Sequence, residues 1–335
     1  MAYGATLVKR VGLFGALTIC VGVTAGLLVV FQSQQVSYNL ATQTQSSGTQ
    51  IEPFPIGVDP QTTTINEQVL IDDFYDKYLA QSGTQSYSLW SKITARLQTN
   101  SGFQLLASPV SRIIVIWPGE RTEEITENIG DVLHWDAGQR ATFNNHMSDN
   151  RFDFDQGTIP PGQYITHHKA SPADIVAVLE REFTNSVSKR YTPEIEQTIP
   201  LADTLIIASL IEREASDFQN MREISGVIWN RLFIDMPLQL DASLQYARAA
   251  NPYEPKWWPA VRPADKFIDS DFNTYQNKGL PPEPITNPSV EAIVAALNPV
   301  NTKCLFYFHS RSREYYCSET YDEHKAKLTE VYSLN

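Results

Sequence analysis

LIIASLIEREASDF, residues 205–218, joins an apolar run to a cluster of charges, and it organises the reading of the whole chain. Wound as a helix of 3.6 residues per turn, it places Ile207, Leu210, Ile211, Glu214 and Phe218 on one face. Glu214 then stands within an apolar stripe, and Glu212 points the other way, toward the side of Ser209 and Ser216. A carboxylate on a buried face is costly unless it is paired or stays protonated. Apolar surroundings raise a Glu pKa toward neutrality, the condition for donating a proton to a leaving group, so Glu214 is a candidate general acid. The alternatives are a structural ion pair with Arg213 or Arg231, or a helix face that falls elsewhere.

Composition narrows the context. The chain has 335 residues, enough for one or two domains with a sizeable core. Its 26 basic and 38 acidic residues leave a net charge of −12, with no footprint for nucleic acid and no polybasic membrane patch. Residues 11–31 are 21 consecutive residues without a charge. As a helix they would span about 31 Å, enough to cross a bilayer core. Lys9 and Arg10 precede this segment and no Lys or Arg follows until Lys77, which orients residues 1–10 to the cytoplasm and everything after residue 32 outside. The run is longer than the apolar core of a signal peptide and lacks a small-residue cleavage pattern, so an uncleaved anchor is expected.

Outward from the central stretch, the chain divides further. Residues 32–66 are rich in Gln, Ser and Thr, with Pro53, Pro55 and Pro60, and read as a polar tether. Residues 66–88 are weakly helical. Arg112 to Trp117 (RIIVIW) reads as a strand, Pro118-Gly119 as a turn, residues 123–133 as a helix, and residues 163–166 as a second strand. Ser171-Pro172-Ala173-Asp174 is a helix start with a capping box, and that helix runs to about residue 187. Residues 221–233 form a helix expected to pack antiparallel to the one bearing Glu214. A Pro-rich loop with Trp257-Trp258, a rigid GLPPEP loop at 279–284, a short helix at 289–297, a hairpin and a C-terminal helix from about residue 319 complete the chain.

Several chemistries find no motif. There is no GxSxG elbow, P-loop or GxGxxG loop. The six histidines are scattered apart from His167-His168, which lacks zinc-site spacing, so neither a metal nor a cofactor is expected. Cys304 and Cys317 flank the hairpin CLFYFHSRSREYYC; a turn at Ser310–Arg311 would set them face to face. A disulfide formed in an oxidising exterior and two unpaired structural cysteines both remain open. Gln239 and Asp241 alternate with Leu238 and Leu240 and so face one way from an extended segment. With Asn273, Thr274 and Tyr275 they offer amide, hydroxyl and phenol groups suited to a sugar rich in hydroxyl and acetamido groups. Trp257 and Trp258 either stack on pyranose rings or pack their loop against the domain.

Four blocks carry a resemblance: ASLIEREAS (208–216), VIWNRLFIDMPLQLDASLQY (227–246), DFNTYQNKGLPPEPITNPS (271–289) and SETYDEH (318–324). In this order they resemble the YceG-like family, the membrane-anchored endolytic murein transglycosylases. That family begins with one membrane span and places a small LysM-like unit before the catalytic part, to which RIIVIWPGERTEEITENIG and GTIPPGQYITHHKASPADIV are similar. The resemblance implies an α+β fold: a transmembrane helix, a LysM-like α/β unit within 67–190, and a mixed α+β catalytic domain over 191–335. It implies that Glu214, the second Glu of its triplet, is the catalytic acid. The family's NRL, PLQxD and NTY blocks fall on Asn230, Arg231, Leu232, Pro237, Leu238, Gln239, Asp241, Asn273, Thr274 and Tyr275. Of these, Asn230, Gln239, Asp241, Asn273 and Tyr275 are the expected substrate-binding residues.

The implied reaction is non-hydrolytic cleavage of the bond between N-acetylmuramic acid and N-acetylglucosamine, leaving a 1,6-anhydro end and terminating nascent strands. The implied partners are peptidoglycan glycan strands and the membrane-bound synthases that make them. Departures lie in the Trp- and Pro-rich loop between Tyr246 and Asn273, in Phe272 where the family often has Tyr, and in Tyr315 and Cys317 where it often has His and Phe. Two rival functions stand beside it: hydrolysis with Asp241 or Glu212 activating water, and a wall-binding module that no longer cleaves.

Overall fold

The structure, a computed structural model, describes residues 51–67, 71–82, 110–149, 152–249, 254 and 256–333. The apolar stretch at 11–31 lies outside them, and among the described residues no helix is long and apolar enough to cross a membrane. In chain order the elements are β1 (Val58–Asp59), β2 (Thr64–Ile65), α1 (Ile71–Ser82), β3 (Ser111–Ile116), α2 (Thr122–Leu133), α3 (Ala137–Ser148), β4 (Gly162–His167), α4 (Pro172–Phe183), α5 (Pro193–Thr198), α6 (Leu201–Glu214), α7 (Phe218–Phe233), α8 (Asp241–Ala249), α9 (Val290–Leu297), β5 (Phe306–His309), β6 (Tyr315–Ser318) and α10 (Tyr321–Ser333). A π-helical turn, Thr184–Ser188, prolongs α4. The architecture is mixed α+β, with helices around three two-stranded antiparallel sheets among the described residues.

Two hydrophobic cores divide this structure. The smaller is a strand-helix-helix-strand unit with α4 added. β3 pairs antiparallel with β4, with Ile113 opposite Ile165 and Ser111 opposite His167. Ile114 and Ile116 of β3 meet Ile125, Ile129 and Leu133 of α2, Phe143 and Met147 of α3, and Ile175 and Leu179 of α4. The strand and helix expected at 112–117 and 123–133 are present, as are the capping box of Ser171 and Asp174 and Pro172 in the first turn of α4. Helix α3 has no counterpart in the sequence reading. It buries only Phe143 and Met147, so its apolar period is faint. What marks it is a capping box: Asp136 accepts from the Gln139 N–H at 2.8 Å, and the Gln139 side chain accepts from the Asp136 N–H at 3.1 Å.

The larger core is built around α6, in which every residue from Thr204 through Ile211 is buried. This helix is apolar on all sides rather than along one stripe, because other elements enclose it. Around it the core gathers Phe54, Val58, Ile71 and Phe74 from before the smaller unit, and Ile195, Ile199, Ile224, Ile228, Leu238 and Ile293 from after it. The smaller unit is thus inserted between two parts of the larger one. Within the stretch read as a tether, residues 51–66 are packed: Gly57 N–H donates to Leu297 O at 2.9 Å and Asn298 Nδ2 to Pro55 O at 2.7 Å. Residues 32–50 lie outside the described residues. Gly226 lets α7 approach the chain after α9, because a Cβ there would meet Val300 O at 2.5 Å.

Asn287 joins the two units. It is fully buried; its Oδ1 accepts from the N–H groups of Gly157 and Ile159 at 2.9 Å each, and its Nδ2 donates to Glu120 O at 3.2 Å. Its backbone N–H donates to Glu120 O and its carbonyl accepts from Gly119 N–H, both at 3.0 Å. At the other end of the larger unit, β5 pairs with β6 with Tyr307 opposite Cys317. The turn lies later than Ser310–Arg311: Ser310 N–H donates to Glu314 O, and Arg313 takes a left-handed φ of 68°. Cys304 therefore precedes β5 instead of facing Cys317 in register, and the two form a disulfide with a Cα separation of 5.7 Å.

Candidate active site

The local sequence ends α6 at Glu214. Ala215 is extended, and Asp217 caps α7 by accepting from Asn220 N–H at 2.9 Å. Phe218 is therefore the first residue of α7 and not a further turn of the Glu214 helix; its ring stacks on Tyr75 with centroids 3.9 Å apart. The expected shared face of Glu214 and Phe218 is broken because the Asp217 cap competes with helix continuation.

Glu214 sits half-buried where several segments converge. Its Oε2 accepts from the Tyr307 hydroxyl at 3.1 Å, and its Oε1 accepts from the backbone N–H of Ala242 at 3.4 Å. Burial pushes its pKa up; the two hydrogen bonds oppose that rise, the Asp241 charge adds to it, and the Arg213 charge opposes it. Its place at a helix C-terminus disfavours the anion as well. Neither arginine considered in the sequence closes an ion pair with it. Arg231 directs Nε to Leu305 O at 2.6 Å and Nη1 to Leu238 O at 2.5 Å. The guanidinium of Arg213 lies over the Trp258 ring, 3.8 Å from its centroid.

Glu212 does point elsewhere. Its Oε2 accepts from the N–H and hydroxyl of Ser289 at 2.9 and 2.6 Å, and burial pushes its pKa up to about 7. It thereby supports the start of α9, where Ser289 is the cap.

The segment before α8 and the turn at 273–275 form the rim. Leu238 and Leu240 are buried and Gln239 and Asp241 exposed, the alternation expected from the sequence. Gln239 holds a left-handed φ of 50°, uncommon for a residue with a side chain, and its N–H donates to Thr274 O at 3.0 Å. The Thr274 hydroxyl accepts from Leu240 N–H at 3.0 Å, so turn and segment are tied together. Tyr275 donates its hydroxyl to Asp241 Oδ1 at 2.7 Å; burial and that carboxylate push its pKa up.

Two expected binding residues hold backbone instead. Asn273 is fully buried, donating to Lys266 O and Ile268 O at 3.2 and 2.8 Å and accepting from Tyr275 N–H at 3.0 Å. Asn230 donates to Thr302 O and Cys304 O at 2.7 and 3.1 Å, holding the chain that enters the hairpin. The structure thus brings Glu214, Asp241 and Tyr275 to one site, leaves Gln239 exposed on the adjoining segment, and uses Asn273 and Asn230 to hold backbone at 266–268 and 302–304. Tyr307 is the member that sequence reading missed. Its only sequence signal is the alternation in FYFH, which turns Tyr307 and His309 away from Phe306 and Phe308. His309 continues the wall, with Nε2 2.9 Å from Asn220 Oδ1.

Trp257 and Trp258 are half-buried against arginines: Arg121 lies 5.7 Å from the Trp257 ring and Arg213 on Trp258. α8 anchors their loop, with Arg248 bonded to Glu254 at 2.9 Å and Asp265 at 3.3 Å. Among the described residues no group of three or more His, Cys, Asp or Glu could hold a metal ion.

Fold and site define an α+β protein with the desolvated Glu214 carboxyl set into a polar, solvent-facing surface. The chain belongs to the YceG-like family, whose profile matches residues 36–330. It is similar to the endolytic murein transglycosylase of Bacillus subtilis, 34% identical over 183 residues that cover 54% of this chain and 49% of the relative. A protein of the same name from Streptococcus pneumoniae is 28% identical over 152 residues, covering 45% of this chain and 27% of the relative. The chain spans about half, or less, of the length of these curated relatives. The crystal structure of a yceG-like protein of Listeria monocytogenes shares the fold, with a TM-score of 0.55 and 22% identity over 82% of this chain and 98% of that one.

Proposed function

We propose that the chain is an endolytic peptidoglycan lytic transglycosylase with Glu214 as its acid and base. The observation that carries this reading is the desolvated Glu214 carboxyl, held by Tyr307 and Ala242 and ion-paired to no cation. Protonated Glu214 donates to the glycosidic oxygen as the bond from C1 of N-acetylmuramic acid breaks. The carboxylate so formed accepts the proton of that sugar's C6 hydroxyl as O6 bonds to C1. No water enters, and Glu214 ends protonated again. Intramolecular attack has a high effective molarity, so positioning replaces a second catalytic carboxylate. The Tyr307 hydroxyl and Ala242 N–H stabilise the transient anion. Gln239, Asp241 and Tyr275 orient the sugars, and Asn273 and Asn230 hold backbone.

The names of the relatives support the substrate class. In this reading the strand-helix-helix-strand unit is the LysM-like glycan-binding part, residues 11–31 are a single-pass anchor with a cytoplasmic N-terminus, and the site acts outside the membrane on nascent strands beside their synthases. The full chain and Glu214→Gln should be compared on purified glycan strands, with mass spectrometry of the new ends. Ends lighter by one water, absent with the variant, are expected. Reducing ends would point to hydrolysis, with Asp241 as the exposed carboxylate to activate water. No cleavage by folded protein would favour a binding module.

A further inference from the structure

Arg213 precedes Glu214 in the chain and its charge is felt at that carboxyl, yet its guanidinium closes no ion pair with it. The guanidinium lies 3.8 Å from the centre of the Trp258 ring. The same side chain packs against the Pro118-Gly119 turn of the smaller unit: a Cβ on Gly119, whose φ is +81°, would meet Arg213 Cδ at 3.3 Å. Arg213 Nε is buried without a hydrogen-bond partner, and no carboxylate closes an ion pair with this guanidinium among the described residues. An arginine stacked on a ring and packed against a backbone turn is held by stacking and shape.

We propose that Trp258 is a positioning residue for the reaction: its ring holds the Arg213 guanidinium against the Gly119 turn and so keeps a cation off the carboxyl of Glu214. The proposal rests on Glu214 being the acid. The groups that face Glu214 are Tyr307 of β5, Asp241 and the Ala242 N–H of α8, Tyr275 of the rim and Arg213 of its own helix. Those that face Arg213 are Glu124 of α2 and Glu212 and Glu214 of α6. From its stacked position Arg213 already favours the Glu214 anion; released from the ring, its guanidinium can move among Glu124, Glu212 and Glu214 and act on Glu214 from closer range. A cation on Glu214 favours the carboxylate, which cannot donate a proton. The Trp-rich loop thereby links the inserted unit to the acid.

The test is the pH profile of glycan-strand cleavage by the full chain. Trp258→Ala should move the alkaline limb of the profile down by about one pH unit, lowering the rate above that limb about tenfold. Trp258→Phe, which keeps a ring, should leave the limb in place. Trp258→Ala combined with Arg213→Gln should restore the limb, because no cation remains to approach. If Trp258→Ala does not fold, Trp258→Leu replaces it, filling the space without a π face. A uniform loss at every pH with the limb unmoved would overturn the proposal, as would a double variant whose limb stays displaced. Full activity of Glu214→Gln would instead overturn the assignment of the acid itself, independently of the Trp258 profiles.

Discussion

Glu214 has a protonation state set by its neighbours, and each can be changed singly. Asp241 raises its pKa, since a nearby negative charge disfavours a second one. Asp241→Asn should therefore move the alkaline limb of the cleavage profile to lower pH, read from kcat/KM against pH. Tyr307 donates to the carboxyl at 3.1 Å, and Tyr307→Phe removes that bond while keeping the ring. A bond of about 1.5 kcal/mol made to the anion predicts a fall in kcat of about tenfold with KM little changed. Far-ultraviolet circular dichroism should be unaltered, and an unaltered kcat would remove Tyr307 from the mechanism. Glu214 is legible in the sequence because a charge inside an apolar helical run is visible locally. Tyr307 is not, because its partner lies 93 residues away in the chain.

The elements around the site are held by a few side chains. Arg231 ties Leu305, at the entrance to β5, to Leu238, ahead of α8. Its guanidinium is buried and its donors face carbonyls, so Arg231→Ala would leave those carbonyls unsatisfied. A loss of about 3 kcal/mol is expected from urea unfolding, together with reduced cleavage as the hairpin and its Tyr307 drift from α6. The Cys304–Cys317 disulfide closes the same hairpin, and the two cysteines are 13 residues apart. Closing a loop of that size is worth about 3 kcal/mol, so Cys317→Ser should lower the urea midpoint with little change in slope. The sequence left the pairing open, since a hairpin's register depends on where its turn falls. Here His309 stands opposite Tyr315, which centres the turn on Ser312, and Cys304 reaches Cys317 from outside the strand.

At the scale of the molecule, coupling between the two units runs through Asn287 and the turn at 118–120. Asn287→Ala would leave the N–H groups of Gly157 and Ile159 without their acceptor. Faster hydrogen exchange at 157–159, with less change inside α6 and α9, is the expected outcome; unchanged protection there would mean that the Asn287 side chain does not hold the units together. Glu120 at this junction accepts from Trp117 N–H at 2.9 Å, and burial pushes its pKa up to about 7. A carboxyl whose pKa is raised by folding adds stability below its unfolded value near 4.5, and that contribution is lost as pH rises through 7. Thermal unfolding should show Tm falling between about pH 5 and pH 7, and Glu120→Gln should flatten that slope.

The sequence by itself determined what short-range physics controls. The apolar run of α6 with its embedded acid, the alternation of Leu238, Gln239, Leu240 and Asp241, and the capping box of α4 depend on neighbours a few residues apart. Only the tertiary structure decided that Glu214 stands without an ion pair, which amides are spent on holding backbone and where Arg213 points. Those outcomes depend on contacts between distant segments: Glu214 with Tyr307, Asn230 with Thr302, and Arg213 with Trp258. Each of those pairings is set by how helices and loops pack, and desolvation, which governs the acid, exists only once they have packed.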